Sequence, residues 1–141
     1  MRWLSSFWSG WKWVRRARVA AVQHNQSRAE SGDSGAQYDL GERYHDGLGV
    51  ARDYTLALNW FMLAAAQGHA KAQLNAGLML YLGRGSAPDR AEAVKWLMLA
   101  VEGGEPKADA ALERISRRLE VEVVREGRQR AADYRATRSK P

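Results

Sequence analysis

The sequence predicts an all-α fold, a short α-solenoid of antiparallel helix hairpins that ends in a C-terminal helical cap. The main observation is an internal repeat of 36 residues: 13 of the 33 residue pairs that relate 36–68 to 72–104 are identical. A repeat of this length is typical of units that bury their apolar faces by stacking on one another. The composition, 45% hydrophobic and 27% charged over 141 residues, indicates one globular domain.

The chain begins with a Trp- and Arg-rich segment, residues 1–22. As a helix, this segment is amphipathic. The polar side of this helix includes Lys12, although Trp13 interrupts it. Arg18 lies at the edge of the opposite, apolar side. Tryptophan on one face and Lys or Arg on the other favour a position in a membrane interface. The apolar half carries six side chains: Trp3, Leu4, Phe7, Trp8, Trp11 and Val14.

If this segment is a helix in the membrane interface, lipid contact is expected through its aromatic face and through Arg15 and Arg16. Three alternatives remain open: the aromatic side chains cap the first repeat, the segment is a disordered tail for a partner, or it is an organelle transit peptide. A secretory signal peptide and a spanning helix are not predicted, because the apolar run 19–22 is too short. The predicted membrane-contact residues are Trp3, Leu4, Phe7, Trp8, Trp11, Arg15 and Arg16.

Residues 23–35 are polar, contain serine and glycine, and are predicted to form a linker. Two repeats follow, at 36–68 and 72–104, and each is predicted to consist of a helix, a loop and a second helix. Each loop contains two glycines two residues apart, which permit unusual backbone conformations. An aspartate follows each loop, Asp53 or Asp89, and is predicted to be the N-cap of the next helix.

Small and very large side chains recur at equivalent positions of the two repeats. Gly41 and Gly77 lie inside the first helices at a cost of roughly 1 kcal/mol each in helix propensity. This cost predicts that a neighbouring helix crosses there at close range. Trp60 and Trp96, in the second helices, are predicted to be apolar anchors between stacked hairpins.

The first repeat contains Ala-Gln-x-x-Leu-Gly-x-x-Tyr-x-x-Gly-x-Gly-Val-x-x-Asp-x-x-x-Ala-x-x-Trp-Phe-x-x-Ala-Ala-x-Gln-Gly, from Ala36 to Gly68. This pattern resembles the Sel-one-like repeat (SLR) family, a relative of the tetratricopeptide repeat. The resemblance covers about 36–118 and implies a tetratricopeptide-like superhelix that acts as an adaptor or scaffold in protein complexes. The second repeat keeps the glycines and the tryptophan of the loop and second helix but departs from the pattern at Ala76, Leu80, Ser86 and Gly103.

The C-terminal residues 107–136 are predicted to form a partial third repeat and a capping helix, with a frayed tail at 137–141. Two complete units need such a cap, because about three stacked units are usually required for stability. The last helix, about 120–136, is expected to be less regular because of Gly127.

In the tetratricopeptide arrangement that the resemblance implies, the first helices line the concave face of the solenoid. Three of the groove positions, Leu74, Leu78 and Tyr81, are apolar. They are expected to receive an apolar segment of a partner protein or the chain's own tryptophans, and burial against the cap is the alternative. Alignment on that arrangement predicts six partner-binding residues: Tyr38, Glu42, His45, Leu74, Leu78 and Tyr81.

No catalytic constellation is predicted, and therefore no enzyme, cofactor, metal or small-molecule substrate. The three histidines, His24, His45 and His69, have no second ligand at a known metal-binding spacing, and the chain lacks cysteine. The glycine-containing loops lack the lysine and the preceding strand of a phosphate-binding loop.

The predicted function is that of a cytoplasmic adaptor or scaffold that binds another protein. The alternative is a membrane-tethered regulatory or assembly factor at the inner face of the membrane. This alternative rests partly on charge, because a basic segment is attracted to anionic lipid. Residues 1–30 contain six basic side chains and one acidic side chain, whereas residues 31–106 contain six basic and nine acidic side chains. A basic nucleic-acid-binding protein ranks third, because the arginines occupy the ends of the chain and no nucleic-acid motif is present.

Overall fold

The computed structural model describes the backbone of residues 2–140 and the side chains of residues 10–140. Across this range the predicted all-α architecture is confirmed, since the chain forms helices and no strand. None of the described helices combines the length and the apolar character that a membrane crossing requires. The helices are α1 (Arg2–Glu30), α2 (Ser34–Asp46), α3 (Tyr54–Ala66), α4 (Ala70–Leu82), α5 (Arg90–Glu102), α6 (Ala108–Ser116) and α7 (Val121–Arg138).

Helices α2 and α3 form the first hairpin, and α4 and α5 form the second. The hairpins stack because α3 also packs against α4, which produces the predicted solenoid. The main core lies between them and includes Phe61 and Trp96, which are 1% and 3% exposed. Small side chains, such as Ala57 and Ala93, fill the narrow spaces between the helices.

Loop glycines and the predicted aspartate N-caps define the ends of the helices in the hairpins. Gly47 and Gly83 end α2 and α4 in the left-handed region, with φ of 72° and 68°, where glycine is favoured because it has no Cβ atom. The Asp53 carboxylate accepts a hydrogen bond from the Leu56 amide at 3.0 Å and thereby begins α3. Asp89 begins α5 in the same way.

Glycines inside the first helices allow the two helices of each hairpin to approach closely. A Cβ atom at Gly41 would lie 2.5 Å from the ring of Phe61, and one at Gly77 would lie 2.9 Å from Leu97. The close crossings predicted from these glycines are therefore confirmed.

The prediction of a linker at 23–35 is wrong over most of its length, because α1 continues without interruption to Glu30. The physical reason is packing that the sequence pattern did not reveal. Val22 and Ala29 of α1 are buried against Leu40 of α2, and this contact stabilises helix across a polar stretch.

Helix α1 extends past the end of α2, because it has 29 residues whereas α2 has 13. The two helices are joined by a short turn and run side by side until Arg18, which contacts Gly49 in the loop after α2. Residues 2–17, the projecting half of α1, therefore continue beyond α2 for about 24 Å at the usual helical rise.

At the other end of the chain, α7 packs along α5 and not along α6, so the third hairpin is open. Gly127 allows this position, since a Cβ atom there would lie 2.5 Å from Val94 of α5. Arg130 adds an ion pair to Asp89 at 3.1 Å. Helix α7 is continuous through Gly127 and extends into the predicted frayed tail, ending at Arg138.

Candidate partner-binding groove

A groove of about 330 Å³ lies between the two first helices, α2 and α4, and we call it the α2–α4 groove. Phe61 of α3 forms part of its floor and is held there by the close crossing at Gly41. The remaining lining side chains are Glu42, His45, Asp46, Asn75, Leu78, Met79, Leu82 and Arg84.

Three of the six predicted partner-binding residues, Glu42, His45 and Leu78, line this groove together. Glu42 is exposed, whereas His45 and Leu78 are half-buried. The His45 ring nitrogen Nδ1 lies 2.6 Å from the Asp46 carboxylate, so the histidine is oriented by its neighbour in the sequence.

Tyr38 borders a neighbouring depression next to the turn between the repeats. Its ring stacks on His69 with 4.7 Å between the ring centroids, and its hydroxyl donates a hydrogen bond of 2.5 Å to Glu42. Burial, together with the Glu42 carboxylate, raises the pKa of Tyr38 well above its usual value. Tyr38 is thus a fixed neutral side chain that positions Glu42 at the edge of the groove.

The prediction that Leu74 faces a partner is wrong: Leu74 is 6% exposed and buried in a second core cluster with Ala108 and Ile115 of α6. Tyr81 is half-buried and packs against the same cluster. The cause is α6, which covers the flank of α4 on which these side chains lie. Burial against the cap, the alternative weighed from the sequence, therefore applies to Leu74.

Sequence reasoning missed Asn75, Leu82 and Arg84, because it assigned equivalent positions of the two repeats to one surface. Equivalent positions lie on the same flank of each helix, whereas a groove between two parallel helices is bordered by opposite flanks. Asn75, Leu78 and Leu82 are spaced three and four residues apart, so they form one stripe on α4. That spacing was the available signal.

The groove has one acidic flank and one apolar flank. Glu42 and Asp46 provide carboxylates on α2, and the side chains of Leu78 and Leu82 lie across from them on α4. Leu82 is 55% exposed, whereas Leu78 beside it is half-buried. Arg84 borders the groove after α4, and its guanidinium lies 5.6 Å from the centre of the Tyr54 ring.

The projecting half of α1 exposes part of the predicted membrane-contact face. Trp11 of this face is 71% exposed, and Arg15 and Arg16 are exposed as well; Trp13, which is 72% exposed, lies on the opposite side of the helix. These two tryptophans neither cap the first repeat nor enter the α2–α4 groove; Val22 and Ala29 cover α2 instead. The predicted contacts Trp3, Leu4, Phe7 and Trp8 lie outside the residues whose side chains are described.

Trp11 also borders a cleft of about 440 Å³ between α1 and the loop after α2. Arg15 and Arg18 line the same cleft, together with Val14, Val19 and residues of the 47–51 loop. Over the residues searched, no group of three or more His, Cys, Asp or Glu side chains is placed to hold a metal ion.

The Sel1 repeat model matches this chain twice, at residues 34–69 and 70–105. A solved Sel1 repeat protein from Oxalobacter formigenes is 35% identical, covers 66% of this chain and 70% of its own, and has a TM-score of 0.64. A protective antigen present in uropathogenic Escherichia coli strains, which displays an SLR fold, is 24% identical and has a TM-score of 0.77.

The match to the Escherichia coli antigen covers 85% of this chain but 28% of the antigen, so this chain spans about a quarter of that protein's length. No curated protein matches the sequence. Sel1 repeat proteins typically serve as protein–protein interaction modules and are generally not enzymes. Because the two repeat matches cover half of its residues and coincide with the two stacked hairpins, the chain belongs to the Sel1 repeat family.

Proposed function

We propose that this chain is an adaptor that binds a segment of another protein in the α2–α4 groove. The observation that carries this proposal is Leu82, a 55% exposed leucine beside the half-buried Leu78. Solenoids bind partners on extended concave surfaces, and an exposed apolar side chain that borders such a surface offers a contact for a partner segment.

The chemistry of the groove favours a segment with apolar side chains and a nearby Lys or Arg. Leucine or phenylalanine would pack on Leu78 and Leu82, while the cation would pair with Glu42 or Asp46. Apolar contact supplies most of the affinity, and the carboxylates select orientation and exclude acidic segments.

The test is selection from a random peptide library displayed on phage, with the full chain immobilised. We expect peptides that combine Leu or Phe with Lys or Arg, and we expect Leu82→Ser to reduce their binding at least about tenfold. Leu63→Ser is the matched control, because Leu63 is 51% exposed and lies on α3, outside the groove. Equal binding to the Leu82 and Leu63 variants would refute the proposal.

A second function, attachment to a membrane surface, is favoured by the exposed Trp11 and Trp13 beside Lys12, Arg15 and Arg16. In this proposal the adaptor is cytoplasmic and is held at the inner face of the membrane. Tryptophan rings prefer the headgroup region, and arginines there bind lipid phosphates.

Co-sedimentation with vesicles that contain anionic phosphatidylglycerol tests this attachment. We expect binding of the full chain that weakens with salt but does not disappear, since aromatic burial is not screened. Trp11→Ser with Trp13→Ser should weaken it, whereas Val22 and Ala29 keep α1 packed on α2 in the variant. A variant that sediments as well as the parent chain would exclude these tryptophans as the anchor.

A further inference from the structure

The projecting half of α1 and the α2–α4 groove have opposite charge. Residues 2–17 contain four basic side chains and no acidic side chain, whereas residues 31–106 contain six basic and nine acidic side chains. The lining of the groove includes two carboxylates, of Glu42 and Asp46, and one guanidinium, of Arg84, which lies against the Tyr54 ring. A basic helix is therefore complementary to the α2 flank of the groove.

Two stripes of side chains run along the described part of the projecting half. Trp11 and Val14, three residues apart, are 71% and 50% exposed and form an apolar edge. Lys12, Arg15 and Arg16, spaced three and four residues apart, form a basic edge, and all three are exposed. The two edges adjoin, because Trp11 and Arg15 are four residues apart. The groove has the same division into an apolar flank on α4 and a charged flank on α2.

The basic edge is unpaired within its own chain. None of its three side chains forms an ion pair with another described side chain. The apolar edge also stays exposed, although it borders the cleft beside the 47–51 loop. Both edges are thus available to a second molecule.

The groove of the same chain is out of reach of its own α1. Val22 and Ala29 hold α1 against Leu40 of α2, and α1 is one continuous helix from Arg2 to Glu30. Glu42 follows Leu40 by two residues and therefore lies on the other side of α2, where it lines the groove. An α1 helix that enters the groove must come from another molecule.

We propose that a second copy of this chain occupies the α2–α4 groove and that it does so through the projecting half of its α1. Trp11 and Val14 of one copy pack on Leu78 and Leu82 of the next, while the basic edge pairs with the groove carboxylates. This inference rests on the proposed binding function of the groove and names its occupant. The groove, of about 330 Å³, is at the small end of binding pockets, so it receives side chains from one face of the helix.

Two features favour a second copy over an unrelated protein. The projecting half combines apolar and basic side chains, which is the chemistry that the groove selects, and every molecule that has the groove also carries this helix. Pairing of two α1 helices with each other is disfavoured, because it would bring their basic edges together without an acidic side chain. The contact is thus heterologous and joins different surfaces of the two copies.

The first test is sedimentation velocity of the full chain without lipid. We expect a weight-average mass that rises with concentration above that of the monomer. Trp11→Ser should weaken this self-association about tenfold, because it removes the largest described side chain of the apolar edge. Trp13→Ser is the matched control, since Trp13 is equally exposed, at 72%, but lies on the opposite side of α1.

Charge exchange between two variants tests the contact directly. Arg15→Glu with Arg16→Glu makes the α1 edge acidic, and Glu42→Arg with Asp46→Arg makes the groove flank basic. Each double variant alone should stay monomeric at concentrations at which the parent chain associates. An equal mixture should associate again, because each α1 then meets a groove of opposite charge. A mixture that stays monomeric would contradict the proposed contact.

Two further variants control for charge and for folding. Lys71→Glu with Lys107→Glu reverses two exposed basic side chains outside both surfaces and should associate like the parent chain. Leu82→Ser changes the groove at an exposed position without a change of charge and should also weaken association about tenfold. Circular dichroism checks that every variant keeps its helices. A peptide selected for the groove should dissociate the parent complex.

The outcomes separate this inference from the function on which it rests. If the chain is monomeric but selected peptides bind the groove, the groove serves another protein and only this inference is overturned. If the chain is monomeric and no peptide binds, both are overturned. Equal effects of Trp11→Ser and Trp13→Ser would assign self-association to another surface. If Trp11→Ser lowers vesicle binding and leaves self-association unchanged, α1 contacts lipid and not the groove.

Discussion

The first and second repeats share one backbone plan but have different neighbours. The first is covered by the C-terminal half of α1, whereas the second is covered by α3, by α6 and by α7 lying along α5. Trp60 of the first repeat is half-buried beside the contact of α1 with α2, while Trp96 of the second is 3% exposed. The ring of Tyr134 from α7 covers Trp96, with 5.4 Å between centroids.

The buried glutamines differ in the same way. Gln37 donates to the Ala29 carbonyl at 3.1 Å and accepts from Gln67 at 2.7 Å. Gln73, at the equivalent position, donates to a carbonyl, but its Oε1 has no hydrogen-bond partner within the described structure. The reason is Gly103, which stands where the first repeat has Gln67. Identical residues therefore contribute differently to stability, because the neighbours decide what each one contacts.

Between equivalent positions of the two repeats, the largest difference in the loss of unfolding free energy is expected at the tryptophans. Trp96→Ala should reduce the free energy of unfolding by about 3–5 kcal/mol, because it removes a fully buried ring and leaves a cavity under Tyr134. Trp60→Ala should cost about 1–2 kcal/mol, since Trp60 is only half-buried. Urea unfolding followed by circular dichroism measures both. Equal losses would mean that α7 does not stabilise the second repeat.

The next largest difference in the free energy of unfolding is expected at the second glycine of each repeat loop. Gly49 and Gly85 both have positive φ, 79° and 83°, so alanine strains either backbone by about 1–2 kcal/mol. A Cβ atom at Gly85 would in addition overlap the Tyr54 carbonyl, whereas at Gly49 its nearest neighbours would be the Val22 side chain at 3.3 Å and the Arg18 carbonyl at 3.4 Å. We expect a total loss of about 3 kcal/mol for Gly85→Ala and less for Gly49→Ala. Thermal unfolding of the pair checks the order.

The sequence predicted the features that depend on local spacing and left out those that depend on distant packing. The repeat of 36 residues contained loop glycines that permit unusual backbone conformations and aspartates that begin helices, and these predictions were correct at Gly47, Gly83 and Asp53. The helical state of 23–30 depends on Val22 and Ala29 meeting α2, which no local pattern records. Likewise, Gly127 was expected to weaken a helix, but it allows α7 to approach Val94.

The candidate groove was predicted in part for a related reason. Glu42, His45 and Leu78 were found from the repeat register, whereas Leu74 was misplaced because the position of α6 could not be read from α4. Lining residues that were not predicted, such as Leu82, can be identified only when it is known that α2 and α4 border the groove with opposite flanks.

Replacement of the buried glutamines by methionine should reveal a smaller difference in unfolding free energy between the two repeats. Gln37→Met removes two hydrogen bonds and should cost about 1–2 kcal/mol. Gln73→Met removes one and also eliminates an unpaired buried oxygen, so its cost should be lower by about 1 kcal/mol. Both side chains are 5% exposed, which makes the pair well matched. Equal costs in chemical unfolding would contradict the role assigned to Gln67.

The smallest effect concerns pH. Burial raises the pKa of Asp89, but the Glu92 amide and the Arg130 guanidinium outweigh it, and the pKa is lowered below 3.8. A carboxyl whose pKa is lowered in the folded state stabilises at neutral pH, and this contribution disappears as the pH falls through that pKa. Asp89→Asn should therefore cost about 0.5 kcal/mol at pH 7, since the pair is partly exposed, and less near pH 2. Urea midpoints at the two pH values measure the difference.

The position of α7 also determines how this solenoid can change its length. Tyr134 donates a hydrogen bond of 3.2 Å to the Ala66 carbonyl at the end of α3, so α7 bridges the two hairpins while it packs along α5. A unit added after α6 would have to displace this helix and separate Gly127 from Val94. An in-frame duplication of 70–105 avoids that conflict, because the new copy of α5 offers α7 the same surface. A unit inserted between the existing hairpins therefore preserves the contact of α7 with α5, whereas a unit added after α6 does not.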